Sequence, residues 1–221
     1  MECDSPHQAA GLYPYLHSLL PAASGVLAEM EEYGRRRRFP FVGSLVGRFL
    51  QQMVMLTGAK NVLELGSGFG YSASWFLSAT PEVRVTCTDT SPFNGHALCD
   101  FLGRLGFAGR IDFQLGDSVD LAREMDGPFD IVYCDLEKSA YLDAWQTTSG
   151  KIRGGGAFIA DNALWRGYAW DEPTESTPEF RRRGIQGVRE LNRVANADTR
   201  FVTSILPIRD GLLVAVRRSE Q

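Results

Sequence analysis

Apolar residues along this chain fall into two alternating patterns, short unbroken runs and helically spaced series, and their order predicts a layered α/β fold. Val62, Leu63 and Leu65 form a run suited to a strand covered on both faces. Comparable runs over 83–89, 111–115, 129–135 and 157–160 predict four further strands, with helices over about 92–105, 118–125 and 139–152 between them. A polar, proline-containing loop over 165–177 leads to a helix over 178–195. Strands over 201–206 and 212–216, joined by a turn, end the chain. Upstream, Leu45, Phe49, Met53 and Leu56 recur at helical spacing, which predicts a helix packed on the sheet through those residues. Pro14 and Pro21 interrupt the earlier pattern and predict two short helices, an appendage within residues 1–40 of a single 1–221 domain. Strand and helix in alternation imply a parallel sheet with helices on both faces.

The first strand runs into Gly66, Gly68 and Gly70, and the helix that follows starts near Tyr71. Such a turn lets a flat polar ligand approach the backbone. The dinucleotide fingerprint requires a third glycine three positions after the second, where this chain has Tyr71, so the spacing favours an adenosyl-sulfonium cofactor over a nicotinamide one. In parallel sheets, ligands sit at the carboxyl ends of the strands. Asp89, Asp117, Asp135 and Asp161 each stand at or just past a predicted strand end, and therefore share one rim. Asp89 is placed to accept from ribose hydroxyls, with Gly116, Asp117 and Ser118 near an adenine edge. Taken singly, each acid reads as a helix cap or a solvated loop residue.

Asp135, Asp161 and Asn162 form a second group. Two carboxylates and an amide oxygen from neighbouring strand ends are hard ligands suited to Mg²⁺ or Ca²⁺. A phenol with pKa near 10 is about one part in a thousand ionised at pH 7, a cost of roughly 4 kcal/mol for a phenolate nucleophile that a cation can offset. Lys138 is placed to take the proton, although an unperturbed lysine is a poor base.

Composition narrows the partners. The 221 residues are 44% hydrophobic with a formal charge of -4. That gives no overall basic field for nucleic acid, despite the Arg35 to Arg38 and Arg181 to Arg183 runs; the four-arginine run after Gly34 reads as a solvated face or loop. No apolar run approaches the roughly 20 residues of a membrane span, and residues 1–8 lack a signal pattern, so a soluble cytoplasmic protein is expected. Cys3, Cys87, Cys99 and Cys134 show no metal-binding spacing and read as reduced, buried thiols.

LELGSGFGYSA, FDIVYCDLEKSAY, GGGAFIADNALWRG and ILPIRDG together resemble the cation-dependent O-methyltransferases, the group containing catechol and caffeoyl-coenzyme A O-methyltransferases. The resemblance runs from about Phe41 to the C-terminus. It implies a Rossmann-like class I methyltransferase fold, a seven-stranded mostly parallel sheet with helices on both faces. It also implies S-adenosylmethionine bound by Val42, Gly43, Glu64, Gly66, Gly68, Ser72, Asp89, Asp117, Ser118 and Asp135. Further implications are Mg²⁺, or Ca²⁺ or Mn²⁺, held by Asp135, Asp161 and Asn162, with Lys138 as base and Asp135 beside it, and a homodimer. The expected acceptor is a small aromatic with vicinal hydroxyls, met by Lys138, Asn162, Trp165, Tyr168 and Trp170. Many members read Asp-Ala-Asp-Lys where this chain has Asp135, Leu136, Glu137 and Lys138, and residues 1–40 match little. A non-catalytic S-adenosylmethionine-binding protein and a nicotinamide-dependent oxidoreductase are the competing readings. The retained ligand set and Lys138 count against the first, and the glycine spacing against the second.

Overall fold

The computed structural model describes residues 6–219; Cys3 lies outside them. Seven strands form one sheet in the order β3-β2-β1-β4-β5-β7-β6. The strands are β1 (Asn61–Leu65), β2 (Arg84–Asp89), β3 (Ile111–Leu115), β4 (Phe129–Cys134), β5 (Ile152–Ala160), β6 (Phe201–Leu206) and β7 (Leu212–Arg217). β1 to β5 are parallel, while β7 runs antiparallel to both β5 and β6. Strand order reverses between β1 and β4, which opens a crevice at their carboxyl ends.

Successive side chains of a strand point to opposite faces, and the core divides accordingly. Val62, Ile131, Tyr133 and Ile159 face the helices α2 (Gly25–Arg37), α3 (Gly43–Thr57), α4 (Tyr71–Leu77) and α5 (Pro92–Arg104). Leu63, Leu65, Val132, Cys134 and Phe158 face α6 (Ser118–Glu124), α7 (Tyr141–Thr148) and α8 (Glu179–Ala197). The central strands carry apolar residues on both faces because helices cover both.

Several local expectations are corrected. Pro14 lies inside α1 (Pro6–Ser18), so the break between the first two helices comes at 19–24. α2 continues through Gly34 to Arg37, which places the arginine run on its last turn: Arg35 and Arg36 pair with Glu32, and Arg37 stacks on Tyr33. Cations there oppose the partial negative charge of the helix end. α3 packs through Val46, Gly47, Leu50, Met53 and Val54, leaving Leu56 80% exposed. Gly47 selects that face, because a Cβ there would meet the Trp75 indole at less than van der Waals distance. The predicted 139–152 helix shortens to α7 flanked by single 3₁₀ turns, and β5 starts at Ile152, earlier than its apolar run. Cys87 and Cys134 are buried free thiols, whereas Cys99 is exposed.

Candidate active site

The glycine turn is held by its neighbours' backbone. Gly66 N–H and Ser67 N–H both donate to the Thr88 carbonyl of β2 (3.1 and 2.9 Å). A Cβ on Gly66 would collide with the Asp135 carbonyl oxygen, and its φ of 85° is one that side-chain-bearing residues avoid. This close approach of β1 and β4 forms the floor of a cavity of about 510 Å³.

Asp89 braces the turn from the end of β2. Gly68 N–H donates to its Oδ2 (2.9 Å), and Ser91 N–H and Asn94 Nδ2 donate to Oδ1 (2.8 and 3.1 Å). Gly66, Gly68, Ser72, Asp89 and Val42 all line the cavity. Glu64 lies beneath it, fully buried, with no partner in hydrogen-bonding geometry on either carboxyl oxygen. Burial pushes its pKa up to about 7, against the lowering effect of the neighbouring Ser72 and Ser67 hydroxyls.

Asp135 and Asp161 emerge side by side because Cys134 pairs with Ala160 in the register of β4 and β5. Asp161 is 1% exposed. Burial and the neighbouring Asp135 charge raise its pKa above the usual carboxylate range, while Arg209 opposes the shift. Its Oδ1 has no hydrogen-bond partner, and its Oδ2 accepts from Arg209 Nη1 (3.1 Å). Lys138 Nζ donates to Asp135 Oδ1 (3.2 Å), the Leu136 carbonyl (3.1 Å) and Tyr141 Oη (2.6 Å), which uses the full donor complement of an ammonium. Tyr141 in turn donates to the Asp161 carbonyl (2.8 Å). α8 approaches this turn closely through two glycines: a Cβ at Gly187 would strike the Lys138 carbonyl, and one at Gly184 the Trp165 ring.

Two turns close the far wall. Asp210 Oδ1 accepts from Arg166 N–H (2.6 Å), and Asn162 Nδ2 donates to Asp210 Oδ2 (3.3 Å). The amide oxygen of Asn162 is thus the end left for a cation. Trp165 and Tyr168 meet edge to face at 5.4 Å, and both line the cavity with Asp135, Lys138, Asp161 and Asn162.

The structure places five of the sequence-derived residues away from the cavity lining. Glu64 is beneath the floor. Gly43 borders an adjoining cavity. Asp117 caps α6, accepting from Val119 and Asp120 N–H (2.9 and 3.0 Å). Ser118 is buried and accepts from the Thr88 hydroxyl (2.8 Å). Trp170 is 63% exposed and lies against Gly167. Arg209, Asp210, Arg166 and Tyr141 were not singled out from the sequence, although the turn ending in Asp210 and Gly211 is a visible signal for a bend there.

The donor set fits a hard divalent cation: an orphaned buried carboxylate oxygen stands beside a second carboxylate, with an amide next to them. Among the described residues no group of three or more His, Cys, Asp or Glu side chains could hold a metal, so a cation here depends on Asn162 as well as the two aspartates. Among the same residues no helix is long and apolar enough to cross a membrane.

A doubly wound sheet with a glycine turn at its switch point and acids at successive strand ends defines the Rossmann-like methyltransferase class of fold. The O-methyltransferase family model matches residues 23–218, and the chain belongs to that family. It is 29% identical over 180 residues to a catechol O-methyltransferase of Niastella koreensis, covering 77% of this chain and 79% of that one. It is 26% identical over 223 residues to caffeoyl-CoA O-methyltransferase 1 of Arabidopsis thaliana, covering 96% and 86%. A methyltransferase structure from Geobacter sulfurreducens superposes with a TM-score of 0.78 at 27% identity, covering 95% and 96%. The S-adenosylhomocysteine-bound methyltransferase PaMTH1 of Podospora anserina shares the fold, with a TM-score of 0.83 at 21% identity and 99% of both chains covered.

Proposed function

We propose that this O-methyltransferase uses S-adenosylmethionine and a divalent cation, Mg²⁺ foremost, to methylate one of two vicinal hydroxyls on a catechol-like aromatic acceptor. The observation that carries this reading is the orphaned, buried Asp161 Oδ1 beside Asp135 and Asn162, on the same cavity as the glycine turn. Catechol and caffeoyl-CoA are the acceptors in the names of its relatives, which supports an aromatic diol. When bound, S-adenosylmethionine supplies an electrophilic methyl group, and a cation supplies charge that lowers the pKa of the acceptor hydroxyl.

The chain's own residues do the rest. Gly66 and Gly68 admit the cofactor to the backbone, and Asp89 holds the turn in shape while offering carboxylate edges to hydroxyl groups. Asp135, Asp161 and Asn162 would hold the cation. Lys138 first releases one of its three Nζ protons to solvent and then takes the acceptor's proton onto Nζ. Bound S-adenosylmethionine would supply the methyl group to the acceptor oxygen and would be left as S-adenosylhomocysteine. Trp165 and Tyr168 flank the acceptor ring and exclude water. Alignment of this kind contributes about 7 to 11 kcal/mol in favourable cases, so no covalent enzyme intermediate is needed. A cytoplasmic homodimer belongs to the same proposal, and sedimentation equilibrium checks the assembly.

The deciding experiment measures S-adenosylhomocysteine release with a panel of catechols and matched monophenols, with Mg²⁺ and with EDTA. Turnover that requires both the vicinal diol and the metal is the expected result. Equal turnover in EDTA removes the cation, and equal turnover of monophenols removes the diol.

A further inference from the structure

Arg209 is an arginine where the backbone favours glycine. Gly211 N–H donates to the Ile208 carbonyl (3.0 Å), closing a tight turn in which Arg209 is the first central residue with φ 55°. A positive φ at that position is the mark of a primed turn, where a side chain is disfavoured. Here the side chain reaches into the site and places its guanidinium on Asp161 Oδ2.

The charges around the two aspartates are already balanced. Asp135 faces Lys138, and Asp161 faces Arg209. A divalent cation entering between the carboxylates therefore meets two positive side chains as well as two negative ones. The two cations differ in how firmly they are held. Lys138 is 12% exposed and fastened at three points, to Asp135, the Leu136 carbonyl and Tyr141. Among the described residues the Arg209 side chain makes a single hydrogen bond, to Asp161, and it is 37% exposed. It also borders a second cavity of about 460 Å³, between α1 and the β6–β7 turn, lined by Tyr13, His17, Phe41 and Asp210. The turn itself is pinned from that side by Tyr13 Oη, which donates to the Arg209 carbonyl (3.0 Å). The side chain thus has somewhere to go while its backbone stays fixed.

We propose that Arg209 is a tethered counter-cation that competes with the divalent metal for Asp161, withdrawing toward the adjoining cavity when the metal binds. It sets metal affinity: Asp161 stays neutralised without metal, and cation binding is weaker than two carboxylates and an amide would give alone. This inference rests on the metal reading proposed above.

The test is Mn²⁺ affinity, read from the loss of the free-ion paramagnetic resonance signal, in the full-length wild type, Arg209→Gly and Arg209→Gln. Glycine suits the positive φ, and glutamine keeps much of the side-chain stem while removing the charge. Both variants are expected to bind Mn²⁺ at least about tenfold tighter than wild type, in line with removal of a competing unit charge. Unchanged or weaker binding in both, with wild type binding Mn²⁺, overturns the role of Arg209 and leaves the metal reading intact. Absence of Mn²⁺ binding in all three proteins overturns both.

Discussion

Where β1 and β2 end, the cavity is lined by a glycine turn braced by one carboxylate; at β4, β5 and the β6–β7 turn it is lined by paired charged side chains. On the first side Gly66 and Gly68 adopt positive φ as glycines readily do, and Asp89 accepts from Gly68, Ser91 and Asn94. On the second side Asn162, Trp165, Arg166 and Arg209 adopt positive φ with side chains attached. Such conformations cost on the order of 1–3 kcal/mol each and persist only where surrounding contacts impose them. Here the contacts are visible: Asp210 holds Arg166 and Asn162, and Ala163 N–H and Leu164 N–H donate to the Gly211 and Asp210 carbonyls. One side of the cavity is a relaxed cradle. The other is a strained and electrically balanced constellation drawn from distant segments, the side to which the proposed function assigns the acceptor.

If that division is right, substitutions on the charged side should damage turnover while sparing cofactor binding. Asp161→Ala carries the largest expected effect: turnover falls by more than about a hundredfold, as for loss of a metal-site group, while S-adenosylmethionine affinity, measured by calorimetry, stays within about twofold. Comparable losses in both would merge the two sides into one unit. Lys138→Ala should lower kcat by about a hundredfold with little change in acceptor KM. A rise in KM at constant kcat would recast Lys138 as an acceptor-binding group.

Glu64 sharpens the comparison from the cradle side. Folded, it keeps its proton up to about pH 7, whereas its ordinary value is 4.5, so between those values the folded chain holds more protons than the unfolded chain. Its contribution to stability therefore falls as pH rises from 4.5 to about 7, by at most about 3 kcal/mol. Glu64→Gln should flatten that part of the stability profile, read by urea unfolding between pH 5 and 8; an unaltered slope would mean that Glu64 is ionised throughout. The smallest effect is expected at Trp170, which is exposed and off the cavity lining. For Trp170→Ala, acceptor KM should move by no more than about twofold, and a larger shift would extend the acceptor wall outward.

Legibility in the sequence followed the range of the interactions. Strand runs, the glycine turn and the four strand-end acids are local patterns; the turn and the acids appear where the spacing puts them, and so do the strands, except that β5 begins at Ile152, ahead of its apolar run. The face of α3 was misjudged because two apolar stripes run along that helix, and only the fit of Gly47 against Trp75 chooses between them. Asp117 and Ser118 sit at the predicted strand end, yet both are already engaged, Asp117 in the local cap of α6 and Ser118 in a bond to Thr88, 30 residues away on β2. Arg209 carried no spacing signal, since it meets Asp161 across 48 residues of chain, and the bond from Tyr141 to the Asp161 carbonyl spans 20, although Tyr141 also meets Lys138 three residues away.

By itself the sequence determined the alternation of strand and helix, the glycine turn between β1 and α4, and the side-chain chemistry available at the strand ends, because backbone period and residue type are local properties. Only the tertiary structure decided that Asp161 is buried with one oxygen orphaned and the other held by Arg209, and that Lys138 is pinned at three points. Those facts depend on which turns meet above the sheet, and the meeting of β5 with the β6–β7 turn is a matter of packing and charge between segments some 48 residues apart.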